Sequence, residues 1–164
     1  MKLSRKNGFT LIELMIVIAI IAIIAAIAIP NLIEARKSGN ESAAIGALKT
    51  ISTAQSMYRE QDKDTDGTLD YATVITDMSY YNVIDPVLGA GTKQGYRFAV
   101  GNATTGDEEF IWTASADPVV VGTTGDRYFG TNQTGTIFYT TGRAIAFTTA
   151  TGEVVSTAGK ALGQ

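Results

Sequence analysis

The chain has 164 residues, 13 Lys and Arg against 16 Asp and Glu, and a net charge of −3. It has neither Cys nor His, which excludes disulfides, zinc–thiolate sites and thiol nucleophiles and removes the commonest general base and transition-metal ligand. The length allows one modest domain plus a membrane segment. Without Lys2, Arg5 and Lys6 the chain holds 10 bases against 16 acids, a net −6, so strong nucleic-acid binding is not expected.

The first predicted element is an apolar run from Phe9 to Ile29, broken only by Thr10 and Glu13. As a helix its 21 residues span about 31 Å and match a hydrocarbon core of about 30 Å. The three bases before it place that end in the cytoplasm and the rest of the chain across the inner membrane. Three fates are open to such a run. It can be a permanent single-pass anchor. It can be a secretory signal peptide cut after Ala26-Ile27-Ala28, although it is longer than an ordinary signal core of about 7–15 residues and carries an acid. Or the chain can be cut before the run, after Gly8, so that the helix stays on the mature protein.

Glu13 weighs on that choice, because an ionisable group in a membrane-length helix is costly and usually functional. It follows Phe9 by four residues, so the two share one helical face. A cut after Gly8 gives Phe9 a free amine. Pairing Glu13 with the amine of a neighbouring subunit relieves part of the burial cost, and the charges meet at one axial offset. The simpler alternative is a protonated or snorkelling Glu in a plain anchor.

Pro30 has no N–H and kinks a continuing helix. Beyond it, Ala44, Leu48, Ile51, Ala54 and Tyr58 recur at three- and four-residue intervals, with Lys49, Ser52, Gln55, Arg59 and Glu60 elsewhere. The pattern predicts an amphipathic helix from about Asn31 to Gln61. Gly39 and Gly46 weaken it by up to about 1 kcal/mol each.

The next segment, Asp62-Lys63-Asp64-Thr65-Asp66-Gly67-Thr68-Leu69-Asp70, reads D-x-D-x-D-G-x-L-D. Alternating carboxylates can converge on a hard cation, and the glycine permits the sharp turn between them. Asp62, Asp64, Asp66 and Asp70 are therefore candidate calcium ligands. The pattern follows an EF-hand loop for nine positions and fails at the twelfth, where Thr73 replaces the bidentate acid; Asp77 or a carbonyl would have to complete the shell. The alternative is a solvated acidic turn after a helix.

From Tyr71 to Leu88 a short helix or loop is expected, with Tyr80, Tyr81, Val83 and Ile84 on its apolar side and a turn at Asp85-Pro86. Strands are expected at Tyr96–Val100, Glu109–Ala114, Arg127–Thr131 and Thr136–Thr140, with a hairpin from Thr131 to Ile137. They predict three or four antiparallel strands on the helix's apolar stripe, with Trp112 in the core. The tail from Ala150 is expected to be mobile or loosely strand-like. Asn102-Ala103-Thr104 and Asn132-Gln133-Thr134 are sequons of a kind that arises readily by chance.

The stretch Lys6-Asn7-Gly8-Phe9-Thr10-Leu11-Ile12-Glu13-Leu14, continuing to Pro30, resembles the N-terminal signal of type IV pilins and type II secretion pseudopilins. The resemblance implies an α+β pilin-like fold: a leader at 1–8, a transmembrane and filament-core helix at 9–30, and a head at 31–164. It implies cleavage between Gly8 and Phe9 by a prepilin peptidase, N-methylation of Phe9, assembly through Phe9 and Glu13, and a helix kink at Pro30. Ala22 departs from the family, where many members have Gly. The implied partners are identical or related subunits, the peptidase and an inner-membrane assembly platform driven by a cytoplasmic ATPase. Major pseudopilins use calcium, but in a later loop, so the Asp cluster does not inherit that role.

The sequence thus predicts a structural subunit, not an enzyme. It would sit in the bacterial inner membrane before assembly, and in a periplasmic pseudopilus or an extracellular pilus afterwards. No cofactor is required, with calcium as the one candidate. The alternative is a membrane-anchored periplasmic binding domain that does not polymerise.

Overall fold

The computed structural model describes residues 8–102, 109–148, 151–154 and 160–162. Lys2, Arg5 and Lys6, the Ala103-Thr104 part of the first sequon and much of the tail lie outside them. The chain divides into two compact units, Met1–Ala35 and Arg36–Gln164, and helix α1 (Leu11–Glu60) contributes to both.

In the first unit α1 is helical through Ala22 and through Pro30. The membrane-length apolar window of α1 has no buried share. A helix that is apolar on every face needs an apolar surrounding, and this one is long and apolar enough to cross a membrane.

In the second unit α1 behaves differently. Ala44, Leu48, Ile51, Ala54 and Tyr58 are all buried, as their spacing predicts. They share one core with Tyr96, Phe98, Trp112, Ala114, Ala116, Phe129 and Ile137 from the sheet. Gln55 departs from its expected place on the polar face and is fully buried. Glu41 is buried too.

After α1 come α2 (Ile75–Tyr80) and α3 (Pro86–Gly89). Asp85-Pro86 starts α3 instead of making a simple turn: Asp85 caps it by accepting from the Leu88 N–H at 3.0 Å, and Pro86 takes the first helical position, which lacks a partner for an N–H in any case. Ile75, Met78, Ile84 and Leu88 supply the buried side, while Tyr80 points to solvent.

Among the described residues the sheet has six strands: β1 (Thr92–Lys93), β2 (Tyr96–Asn102), β3 (Trp112–Pro118), β4 (Arg127–Asn132), β5 (Ile137–Thr141) and β6 (Lys160–Ala161). Their spatial order is their chain order and every pairing is antiparallel, a simple meander. The architecture is α+β, as expected, with two short strands that the sequence pattern did not reveal. The predicted hairpin is present, with Thr131 opposite Ile137. The expected strand at Glu109–Ala114 is displaced to Trp112–Pro118. Its pairing with β2 carries it on until Pro118 lies opposite Tyr96, and Trp112, Ala114, Ala116 and Pro118 alternate inward. The tail contributes β6, which pairs with β5.

Candidate functional site

The candidate bond for processing lies in a short segment ahead of α1. Gly8, Phe9 and Thr10 are non-helical and exposed, Phe9 by 87%. Helix α1 starts at the next residue because Thr10 and Glu13 form a reciprocal cap. The Glu13 N–H donates to Thr10 Oγ1 at 3.3 Å, and Glu13 Oε2 accepts from the Thr10 N–H at 2.8 Å. The Thr10 hydroxyl also donates to Glu13 Oε2, at 2.6 Å. This is a capping box, which satisfies two of the N–H groups a helix start leaves without partners. It also sets the carboxylate at the positive end of the helix dipole. Thr-x-x-Glu before an apolar run is its sequence signal, one not used above. Both Thr10 bonds fall on Oε2; among the described residues no donor reaches Oε1.

The acidic loop begins where α1 ends. The Lys63 N–H donates to the Tyr58 carbonyl and the Asp62 N–H to the Arg59 carbonyl, both at 3.2 Å. With Asp62 at φ 43° this is a Schellman ending, in which the left-handed residue reverses the chain. Gly67, at φ 88°, makes the second reversal. Carboxylate oxygens of Asp62, Asp64 and Asp66 lie within 4.8 Å of one another. That suits ligands about 2.3–2.6 Å from one calcium.

Asp70 is not in that triad, but burial raises its pKa and the charges of Asp64, Asp66 and Asp62 raise it further. The Asp66 carboxyl is held below its ordinary value by the Thr68 hydroxyl and N–H, both donating to Oδ1. Asp62 Oδ2 accepts from the Gly67 N–H at 3.3 Å, and Asp64 Oδ2 from the Tyr58 hydroxyl at 3.3 Å. The Oδ1 atoms of Asp62 and Asp64 are buried without a hydrogen-bond partner among the described residues. A buried carboxylate oxygen with no donor is costly.

The loop's far end is fixed by Gln55. Its amide donates to the Ala72 carbonyl at 3.0 Å and accepts from the Ala72 N–H at 2.9 Å. At the other end of the head, Glu41 Oε1 accepts from the N–H groups of Asp126 and Arg127, and Oε2 pairs with the Arg127 guanidinium at 2.7 Å. Arg127 in turn lies over the Phe129 and Tyr139 rings. That Glu41 and Gln55 need buried partners is legible in the sequence, though not which partners. Residues 41, 44, 48, 51, 55 and 58 follow one helical stripe, and a polar residue on an apolar stripe implies a buried partner.

Asn132, in the second sequon, is buried. Its amide donates to the Gly152 carbonyl at 2.8 Å and its Oδ1 accepts from Thr134. In the folded chain that amide nitrogen is occupied.

The family of the prokaryotic N-terminal methylation motif matches residues 3–29. The type IV major pilin protein PilA of Myxococcus xanthus is 41% identical over 106 residues, 64% of this chain and 41% of that one. The type IV wide pilus major component PilA4 of Thermus thermophilus is 56% identical over 53 residues, 32% of this chain and 40% of its own. The type II secretion system core protein G of Aeromonas hydrophila is 34% identical over 59 residues, 36% of this chain and 41% of its own. The chain spans about two fifths of the length of these curated relatives. No solved structure matches it. The chain therefore carries the prokaryotic N-terminal methylation motif, and is similar over part of its length to major pilins and to the core protein G of type II secretion.

Proposed function

We propose that this chain is a structural filament subunit, anchored in the inner membrane by α1, cut between Gly8 and Phe9, methylated on Phe9 and polymerised through its apolar helix. The match of residues 3–29 to the methylation motif carries this reading. Two features of the molecule support it. The Gly8–Phe9 bond lies in an exposed, non-helical segment. The apolar part of α1 buries nothing against its own chain, so a bilayer and then other subunits are its natural surroundings. In the polymer Glu13 would meet the Phe9 amine of a neighbour while its capping box holds the helix start. Identical or related subunits, a prepilin peptidase and an assembly platform are the partners this implies.

Between the two uses of such a subunit, a type IV pilus is the better fit. The pilin similarity covers 106 residues, more than the leader and α1 together contain, so it reaches into the head. The similarity to core protein G covers 59 residues. A non-polymerising binding domain has less support: one groove, about 510 Å³ between Ile45, Lys49, Ile137 and Leu162, offers Lys49 as its charged group. The deciding experiment is the intact mass and first residue of the protein from membranes and from sheared filaments. A chain starting at N-methylated Phe9 supports the proposal. A start at Ile29 means an ordinary signal peptide, and an intact Met1 means a plain anchor.

Calcium binding by Asp62, Asp64 and Asp66, with Asp70 close by, is a second reading that the two orphaned Oδ1 atoms favour. Binding to the folded state alone stabilises by about 2.7 kcal/mol at a hundredfold excess over Kd. Chelation should lower the melting temperature and added calcium restore it, with Asp64→Asn abolishing the response. An unchanged melt and no heat of binding would remove these residues from any metal site.

A further inference from the structure

The loop joining β3 to β4 carries three consecutive exposed valines, Val119, Val120 and Val121, at 43, 51 and 55% exposure. It is a built turn. The Val119 N–H donates to the Gly95 carbonyl at 2.9 Å and the Gly122 N–H to the Gly125 carbonyl at 3.0 Å. Thr124 Oγ1 both donates to the Val120 carbonyl and accepts from the Val120 N–H, each at 3.1 Å. A Cβ on Gly125 would fall 2.0 Å from the Tyr96 hydroxyl oxygen, so only glycine lets the chain pass there. The loop is fastened to the first turns of the head's part of α1. Asn40 donates to the Thr124 carbonyl at 2.9 Å, Lys37 pairs with Asp126 at 3.0 Å, and Glu41 holds the Asp126 and Arg127 N–H groups.

The apolar tip therefore lies beside residues 37–41, the first turns of the head's part of α1. Eight residues carry the chain from Ile29, where the apolar run ends, to Lys37, at most about 29 Å of chain even when fully extended. We propose that Val119–Val121 is a membrane-surface contact: in the unassembled subunit this tip seats in the lipid interface. The inference rests on the reading that α1 spans a bilayer. Three valines are far smaller than the roughly 800 Å² per partner of a stable protein interface. A patch already tethered beside a bilayer needs little apolar area of its own, because anchoring makes the second contact intramolecular. Arg36 at the same end adds a basic residue of the kind common beside interfacial segments, while Lys37 is paired with Asp126.

The chain has no Cys, so single cysteines can carry an environment-sensitive fluorophore in the full-length protein in phosphatidylcholine–phosphatidylglycerol vesicles. The sites are Ile18→Cys in the helix, Val120→Cys at the tip and Ser56→Cys, an exposed position about 24 Å up the helix from Asn40. Brominated lipids should quench Ile18 and Val120 severalfold and leave Ser56 unchanged. Quenching at Ile18 with Val120 behaving like Ser56 would overturn the tip contact and leave the membrane-spanning reading standing. No quenching at Ile18 would remove both. Shielding of Val120 that tracks protein density and ignores brominated lipid would assign the tip to a second copy of the chain and overturn the lipid contact.

Discussion

Helix α1 contains two stretches that look alike as secondary structure and differ in what they ask of their surroundings. From Leu11 to Ala35 it presents apolar side chains on every face and buries none of its membrane-length window. From Arg36 to Glu60 it buries one stripe, Ala44 to Tyr58, against the sheet, and two polar residues on that stripe, Glu41 and Gln55, hold loops in place. The first stretch has no such burial and needs an apolar surrounding. The second draws its stability from its own head. A helix can be long and continuous and still serve two unrelated environments, provided its apolar pattern changes along its length.

The strongest test of the first stretch is at Glu13. Gln can replace Glu in a capping box, so Glu13→Gln keeps the helix start and removes the charge. If the carboxylate pairs with a neighbour's amine, the loss is about 2–5 kcal/mol per contact, and the yield of sheared filaments should fall by at least about tenfold. Wild-type yields from Glu13→Gln, with losses from Thr10→Ala, would make the cap the whole function of this pair.

The second stretch is tested at Glu41. Glu41→Ala leaves Arg127 and two loop N–H groups without their acceptor. The cost should be about 3 kcal/mol, the lower end for a broken buried pair, because Arg127 is partly exposed. Denaturant unfolding of the detergent-solubilised chain, followed by the fluorescence of its single, buried Trp112, measures it. An unchanged midpoint would mean that the head's part of α1 is not held by this tether.

A smaller effect should appear at the acidic loop in calcium-free buffer. Burial and the neighbouring Asp charges raise the Asp70 pKa above its ordinary 3.8. The folded state then holds that proton more tightly than the unfolded chain, so this contribution to stability falls as pH rises above 3.8. Asp66 and Asp85 are shifted the other way, and their contributions are lost only below that value. Asp70→Asn should flatten the decline above pH 3.8, by about 0.5 kcal/mol for a partly solvated group. An identical pH profile in the variant would assign the decline to another group, such as Asp117, which burial also raises.

Much of this molecule can be read from local pattern. The apolar run, the amphipathic stripe and the alternation that buries Tyr96 and Phe98 in β2 and Trp112, Ala114 and Ala116 in β3 are periodicities of a single segment. The turn glycines and the Thr10–Glu13 cap are signals spaced a few residues apart. Gly8, Phe9 and Glu13, the residues proposed for processing and assembly, are also spaced only a few positions apart. What the chain alone could not settle depends on partners far away in sequence. Strand β3 runs to Pro118 because β2 is there to pair with it, and β1 and β6 are too short to show a period. Glu41 meets Arg127 across 86 residues and Gln55 meets Ala72 across 17. The acidic triad is written in the sequence as spacing. Only the reversals at Asp62 and Gly67 bring carboxylate oxygens of all three residues within 4.8 Å of one another, and only burial leaves the Oδ1 atoms of Asp62 and Asp64 without a donor among the described residues.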